Sequence, residues 1–295
     1  MFDTIGLLAA QLFEIYSGLL IVLAVLALIF TVLAVFASQS CDPSRRWWRN
    51  PELATDIGYA IGTTLMQHWH LLALPAMALI YGCLSGFMSP AEIKDYIANG
   101  HGPLAGIGFG WQVAIQLVLT DFFLYWIHRG FHGAALWRFH AIHHSPVEVD
   151  WHTAFRFHPV NLALGSQFVG LFMLTLGISP EVPVFLIVWE ILSAAVVHAN
   201  LNWTFGPFRY VLAGPVFHRW HHGPADDGGS SNFAPTFAFW DFLFGTFYMP
   251  EGRLPEKFGV DDPNFPKSYL GQMLYPFLPQ RPAAGTAAVP GGPAA

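Results

Sequence analysis

Three clusters of histidine carry the chemistry that can be read from this chain. His128 and His132 stand four apart, His140, His143 and His144 form an H-x-x-H-H set, and His218, His221 and His222 repeat that set. Four residues turn a helix by about 400°, so His128 and His132 share a face. Positions i, i+3 and i+4 likewise face the same way. Neutral imidazole nitrogen suits iron, zinc, copper or nickel. Adjacent histidines are poor helix formers and pack no better than leucine, so their recurrence points to metal. His198 adds a ninth ring at the end of an apolar segment. One ion takes about four to six donors, so this set suggests two ions. Neither cysteine, Cys41 or Cys83, belongs to a cluster, so thiolate ligation is not indicated.

The elements that position these rings are apolar. Of 295 residues, 54% are hydrophobic and 11% charged, where soluble domains carry about 25% charge. The formal charge of −6 offers no basic surface for nucleic acid. Five segments are candidate membrane spans: Leu19–Phe36, Ile57–Tyr81, Trp111–Ile127, Val160–Ile178 and Val182–Val197. The last two are joined at Ser179-Pro180-Glu181, as in an antiparallel hairpin. With five spans, every Lys and Arg except Lys94 falls on one face, which the positive-inside rule makes cytoplasmic. All three clusters and His198 then lie on that side. The reading is an all-α, integral membrane helical bundle with a cytoplasmic histidine-rich cap. The organisation expected is N-terminal spans over 1–110, a metal domain over 111–250, and a cytoplasmic segment over 251–295 that is disordered from about 282. The first 37 residues lack the basic start of a secretory signal, and the length and lack of targeting signals fit a bacterial inner membrane, the preferred reading, although an endoplasmic reticulum protein would read similarly.

The ordered motifs resemble the fatty acid hydroxylase / sterol desaturase superfamily of membrane di-iron enzymes. The family pattern H-x3-H, H-x2-HH, H-x2-HH is met by His128/His132, His140/His143/His144 and His218/His221/His222. Flanking matches include Asp121-Phe-Phe-Leu-Tyr-Trp-Ile-His-Arg, Arg156-Phe-His-Pro and Trp240-Asp-Phe-Leu-Phe-Gly-Thr, and the likeness covers about residues 111–250. The resemblance implies two iron ions, with zinc possible in purified protein, O2 as co-substrate, and electrons from a separate donor protein. It implies hydroxylation or desaturation of an unactivated C–H bond of a lipid drawn from the bilayer: a sterol, fatty acyl chain, carotenoid or related compound. It also places a ligand at His198.

Relatives with a further histidine four residues on have Asn202 at that position here. His158 of the Arg-x-His-Pro element is the candidate for the vacant tenth ligand. Asp121, His152, Asn202 and Asp241 are expected to support the ligands from outside, and Glu190 is a further carboxylate to examine. Arg129, Arg138 and Arg219, interspersed among the ligands, are expected to pair with Asp or lipid phosphate. His68 and His70, beside Gln67, read as polar contacts within a span, and His101 as surface. The competing class is a membrane metal transporter or sensor, which would place ligands at mid-membrane.

Overall fold

The computed structural model describes residues 2–36, 40–66 and 102–279, with isolated positions between 82 and 95. Gln67, His68, His70, Cys83, Lys94, His101 and the tail from 282 lie outside the described residues, as does the second expected span beyond residue 66. All regular structure among the described residues is helical.

The first helix, α1 (Phe2–Phe36), contains the first expected span. Its buried residues Leu19, Leu26 and Phe30 follow a seven-then-four spacing and make one narrow stripe. The remaining apolar side chains, such as Leu20, Ile21 and Leu28, are exposed. Thr31, the polar exception in the span, donates to the Ala27 carbonyl at 2.6 Å, so its hydroxyl is satisfied inside the helix. Asn50 Oδ1 accepts the Glu52 amide at 2.8 Å at the start of α2 (53–66). Asp56, Tyr59, Ala60 and Thr63 form the buried face of α2, at helical spacing.

Helix α3 (Phe109–Phe131) holds the third expected span and ends in the first histidine pair. Gln112, Gln116 and Asp121 are buried in it. Gln112 joins two loops: its Oε1 accepts the Ser179 amide and its Nε2 donates to the Leu104 and Ile107 carbonyls. Helix α4 (Trp137–His144) follows, then a 3-10 turn, Trp151–Phe155, started by an Asp150–Thr153 capping box. The fourth expected span is one helical run with a π turn inside it. It consists of α5 (Pro159–Leu162), a π turn over Ala163–Gln167, and α6 (Phe168–Leu176). Helix α7 (Glu181–His198) returns antiparallel and packs Val182 and Leu186 against Val169, Met173 and Ile178. Helix α8 (Pro215–His221) starts with Gly214 and a proline in its first turn, where the missing N–H has no cost. Two short helices, α9 (Phe239–Leu243) and α10 (Tyr269–Leu274), complete the described fold; α10 lies in the expected C-terminal segment, before residue 282.

Two helical stretches, Ala10–Phe36 and Glu181–His198, are long and apolar enough to cross a membrane. Only 17% and 28% of their residues, respectively, are buried inside the molecule, unlike the core helices of a soluble domain. The two meet through one cluster, in which Leu26 and Phe30 of α1 pack with Ala195 of α7 and with Trp151, Ala199 and Leu201. The Trp151 ring stacks on Phe30 at 5.6 Å and takes Trp47 edge-on at 5.3 Å. It thereby ties α1, the 47–49 turn and the 151–155 turn. Trp151→Ala should cost about 3–5 kcal/mol, the usual range for emptying a buried aromatic site. The check is a lowered melting temperature in detergent.

Candidate metal centre

Each H-x-x-H-H triplet divides between two groups of rings. His128, His132, His140, His144 and His221 bring ligand atoms within 4.8 Å of one another, and His143, His198, His218 and His222 do the same. Successive residues are about 100° apart on a helix, so adjacent histidines diverge. On α4, His140 and His144 serve the five-histidine group and His143 the other. On α8 the division is reversed: His218 and the C-capping His222 serve the four-histidine group and His221 the five. The expected common face of each triplet is thus two faces, one per group. The groups adjoin, with the His144 and His222 rings stacked at 4.6 Å.

Hydrogen bonds set the tautomers. His143 Nδ1 lies 3.1 Å from the Arg156 carbonyl, and His198 Nδ1 lies 2.7 Å from the Ala194 carbonyl. A carbonyl only accepts, so each Nδ1 carries the proton and each neutral ring keeps a lone pair at Nε2. Those two lone pairs face each other at 3.2 Å. His218 Nε2 is 3.0 Å from His198 Nε2 and 3.2 Å from His222 Nε2. A tetrahedral ion with metal–nitrogen bonds of about 2.0–2.1 Å holds its donors roughly 3.3 Å apart. The four-histidine group therefore has the donor set and dimensions of a metal cage.

The five-histidine group is built alike. His128 Nδ1 donates to the Phe233 carbonyl at 2.6 Å, and His221 Nδ1 to the Ser231 carbonyl at 2.7 Å. Their Nε2 atoms meet those of His140 at 2.9 Å and His144 at 3.0 Å, respectively. The Asn161 amide stands 3.0 Å from His140 Nδ1. With its oxygen turned to the ring, that amide accepts the Nδ1 proton and frees Nε2. Burial, followed by repulsion from neighbouring rings, pushes His140, His144, His221 and His222 well below the ordinary imidazole pKa. His143 and His218 are lowered in the same way. Unprotonated rings are the form that binds metal.

The remaining expected site residues lie outside both groups. His158, the candidate tenth ligand, belongs to neither group. Its Nδ1 accepts the Val160 amide at 3.1 Å, capping α5, and its ring lies against Phe139 and Phe277. His152 Nδ1 pairs with Asp56 at 2.5 Å, both buried. Asn202 joins neither group, and its Oδ1 is buried without a hydrogen-bond partner. Asp121 accepts the Phe237 amide at 2.9 Å, and so holds a loop and not an imidazole. Asp241 accepts the Phe233 and Ala234 amides, both at 2.8 Å, and the Thr246 hydroxyl at 2.6 Å. It reaches His128 only through the backbone of Phe233. Its pKa is raised to about 6, chiefly by burial. Glu190 is exposed on α7.

The arginines bond to neutral oxygens, not to the expected carboxylates. Arg138 grips the Tyr275 and Leu278 carbonyls, Arg219 the Val149 carbonyl, and Arg129 the Tyr125 hydroxyl. Sequence reasoning missed Asp56, Asn161 and Asn232. Asp56 pairs with the fully buried Arg156, whose carbonyl orients His143 and whose Nη1 donates to Ser145 Oγ at 3.1 Å. No motif marks a carbonyl acceptor. The Arg156-Phe-His-Pro element did carry a signal, but it belonged to the arginine and not the histidine.

Residues 113–246 match the family model for fatty acid hydroxylase. An ornithine lipid hydroxylase of Rhizobium tropici is 32% identical over 173 residues, which is 56% of this chain and 50% of that protein. An alkylglycerol monooxygenase of Xenopus tropicalis is 32% identical over 142 residues, 48% of this chain and 31% of that protein. A Delta(7)-sterol 5(6)-desaturase of Gibberella zeae is 27% identical over 186 residues, 63% of this chain and 51% of that protein. The chain spans about half, or less, of the length of these relatives. No solved structure matches it.

Two outcomes are expected of the centre. The ligand imidazoles are less easily protonated folded than unfolded, so unfolding takes up protons. Stability of chelator-treated protein should be full above the ordinary imidazole value of 6.5 and fall as pH drops below it, toward the lower folded-state values. Melting scans between about pH 5 and 8 read this, and a flat profile would contradict it. Asp56→Ala should cost about 3–5 kcal/mol, because it removes the buried partner of the Arg156 charge and leaves only the longer 3.5 Å pairing with Glu52. Thermal melting against wild type measures the loss.

Proposed function

From the match of residues 113–246 to the fatty acid hydroxylase family model, we propose that the chain is a membrane oxidoreductase holding two iron ions and using O2 to hydroxylate a lipid C–H bond. The observation that carries the metal reading is the pair His143 and His198. Both rings have committed their one proton to a carbonyl, and their lone pairs converge at 3.2 Å in a buried site. A metal ion placed between them would accept both lone pairs. Nine imidazoles and no carboxylate make the donor set, with His143, His198, His218 and His222 for one ion and His128, His132, His140, His144 and His221 for the other. Iron bound there supplies the redox chemistry with O2 that an aliphatic C–H bond demands, which zinc lacks.

The chain's own residues bind, orient and exclude water. The Arg156, Ala194, Ser231 and Phe233 carbonyls hold four rings in the ligating tautomer. Phe157 stacks on His143 at 4.2 Å and covers it with an apolar face. His221 and His222 are fully buried. The apolar faces of α1 and α7 suit a lipid environment, from which the substrate enters. In this reading the protein is multi-pass in a bacterial inner membrane, with the centre and the C-terminus cytoplasmic, and a separate protein supplies electrons. The names of the relatives favour hydroxylation. Desaturation is the alternative outcome on the same lipid classes.

Anaerobic ferrous reconstitution of detergent-purified protein, with elemental analysis and Mössbauer spectroscopy, tests the metal. Two tightly held irons per chain, oxidised by O2, are expected. A labile site that exchanges many divalent ions would favour a transporter or sensor. Incubation with lipid extracts under labelled O2 should place label in a hydroxylated lipid; an unlabelled alkene would indicate desaturation. His143→Ala should lower turnover by at least about 100-fold and reduce iron content.

A further inference from the structure

Asn232 lies between two carbonyls that serve the metal centre. The Ser231 carbonyl before it accepts His221 Nδ1–H at 2.7 Å, and the Phe233 carbonyl after it accepts His128 Nδ1–H at 2.6 Å. These rings come from α8 and α3, their centroids are 4.4 Å apart, and both belong to the five-histidine group. One tripeptide therefore orients two ligands from separate helices.

The backbone of that tripeptide is held unusually. Asn232 has φ +59°, in the left-handed region that costs an ordinary side chain about 1–2 kcal/mol and that asparagine tolerates best after glycine. The residue is completely buried, and its amide is fully used. Nδ2 donates to the Phe217 carbonyl at 2.8 Å and to the Tyr248 carbonyl at 2.6 Å, while Oδ1 accepts the Tyr248 amide at 2.7 Å. Its own N–H donates to the Thr246 carbonyl at 2.9 Å. Phe217 is one residue before the ligand His218 on α8, so the amide clamps the loop to the helix that carries His221. Asp241 fixes the far side through the Phe233 and Ala234 amides. The four-histidine group takes its two observed acceptors elsewhere, from Arg156 and Ala194.

We propose that Asn232 is a positioning residue for one metal position only: by fixing residues 231–233 in a left-handed turn it sets the tautomer and orientation of His128 and His221. This rests on the two-iron reading above. Outer contacts of this kind change metal affinity by about 10–100-fold. Three substitutions separate the contributions. Asn232→Gly keeps the positive φ and loses the amide bonds. Asn232→Asp keeps one acceptor and a residue that tolerates the turn. Asn232→Ala loses both the amide bonds and that tolerance.

The experiment is anaerobic ferrous titration of detergent-purified full chains, read by bound iron per chain and by Mössbauer spectroscopy. Wild type should hold two irons in distinguishable environments. In Asn232→Ala one iron should bind about 10–100-fold more weakly with its spectral component altered, while the other stays unchanged. Asn232→Gly and Asn232→Asp should lie between. The retained iron reports that the four-histidine group is still folded. Equal weakening of both irons in all three variants, or unchanged affinity for both, would overturn the role of Asn232. Wild type that binds fewer than two irons would instead overturn the two-iron reading, so the two failures are distinct.

Discussion

Repulsion between imidazole lone pairs is the constraint from which the rest of this structure follows. His143 and His198 each donate their only ring proton to a carbonyl and turn the bare nitrogens toward one another. Each is a buried, neutral acceptor facing another. A metal ion between them would accept both lone pairs. Free rings would rotate or protonate; packing and outward hydrogen bonds prevent the first, and burial opposes the second.

Holding that arrangement requires rigid acceptors around it. Most are backbone carbonyls, and these are fixed by polar groups that never touch the centre. Asp56 and Arg156 neutralise each other inside the protein and set one carbonyl; Asp241 and Asn232 brace the segment that presents two more. Asp56 belongs to α2, outside residues 113–246, so an element beyond the matched region pairs with Arg156 inside it. The Trp151 cluster adds a second tie, bringing α1 against the segment that leads to His152 and Arg156.

The alternation of the two triplets has a geometric logic. One helix can offer adjacent histidines to two ions only if it passes between them. Both α4 and α8 contribute to both groups, with opposite allocation, so each group receives a pair from one helix and a single ring from the other. His128 and His132 of α3 add to one group and His198 of α7 to the other, which produces the five-to-four division. The π turn beside Asn161 belongs to the same design, since it interrupts the helix next to an amide that meets His140.

The sequence alone determined the chemistry class. Histidine type and spacing pointed to nitrogen ligation, and sparse charge pointed to apolar helices, because both properties are local and periodic. It also marked Asp241 and the Arg156-Phe-His-Pro element as important without revealing how they act. What only the tertiary structure decided was allocation: which histidine joins which group, that His158 caps a helix, and that Asp121 holds a loop. The same holds for Asp56, Asn161 and Asn232, whose partners are 100, 21 and 15 residues away in the chain. A backbone carbonyl is present at every residue, so no sequence pattern can single out the four that orient ligands. Their selection arises from how α3, α4, α7 and α8 converge, and convergence is a property of packing.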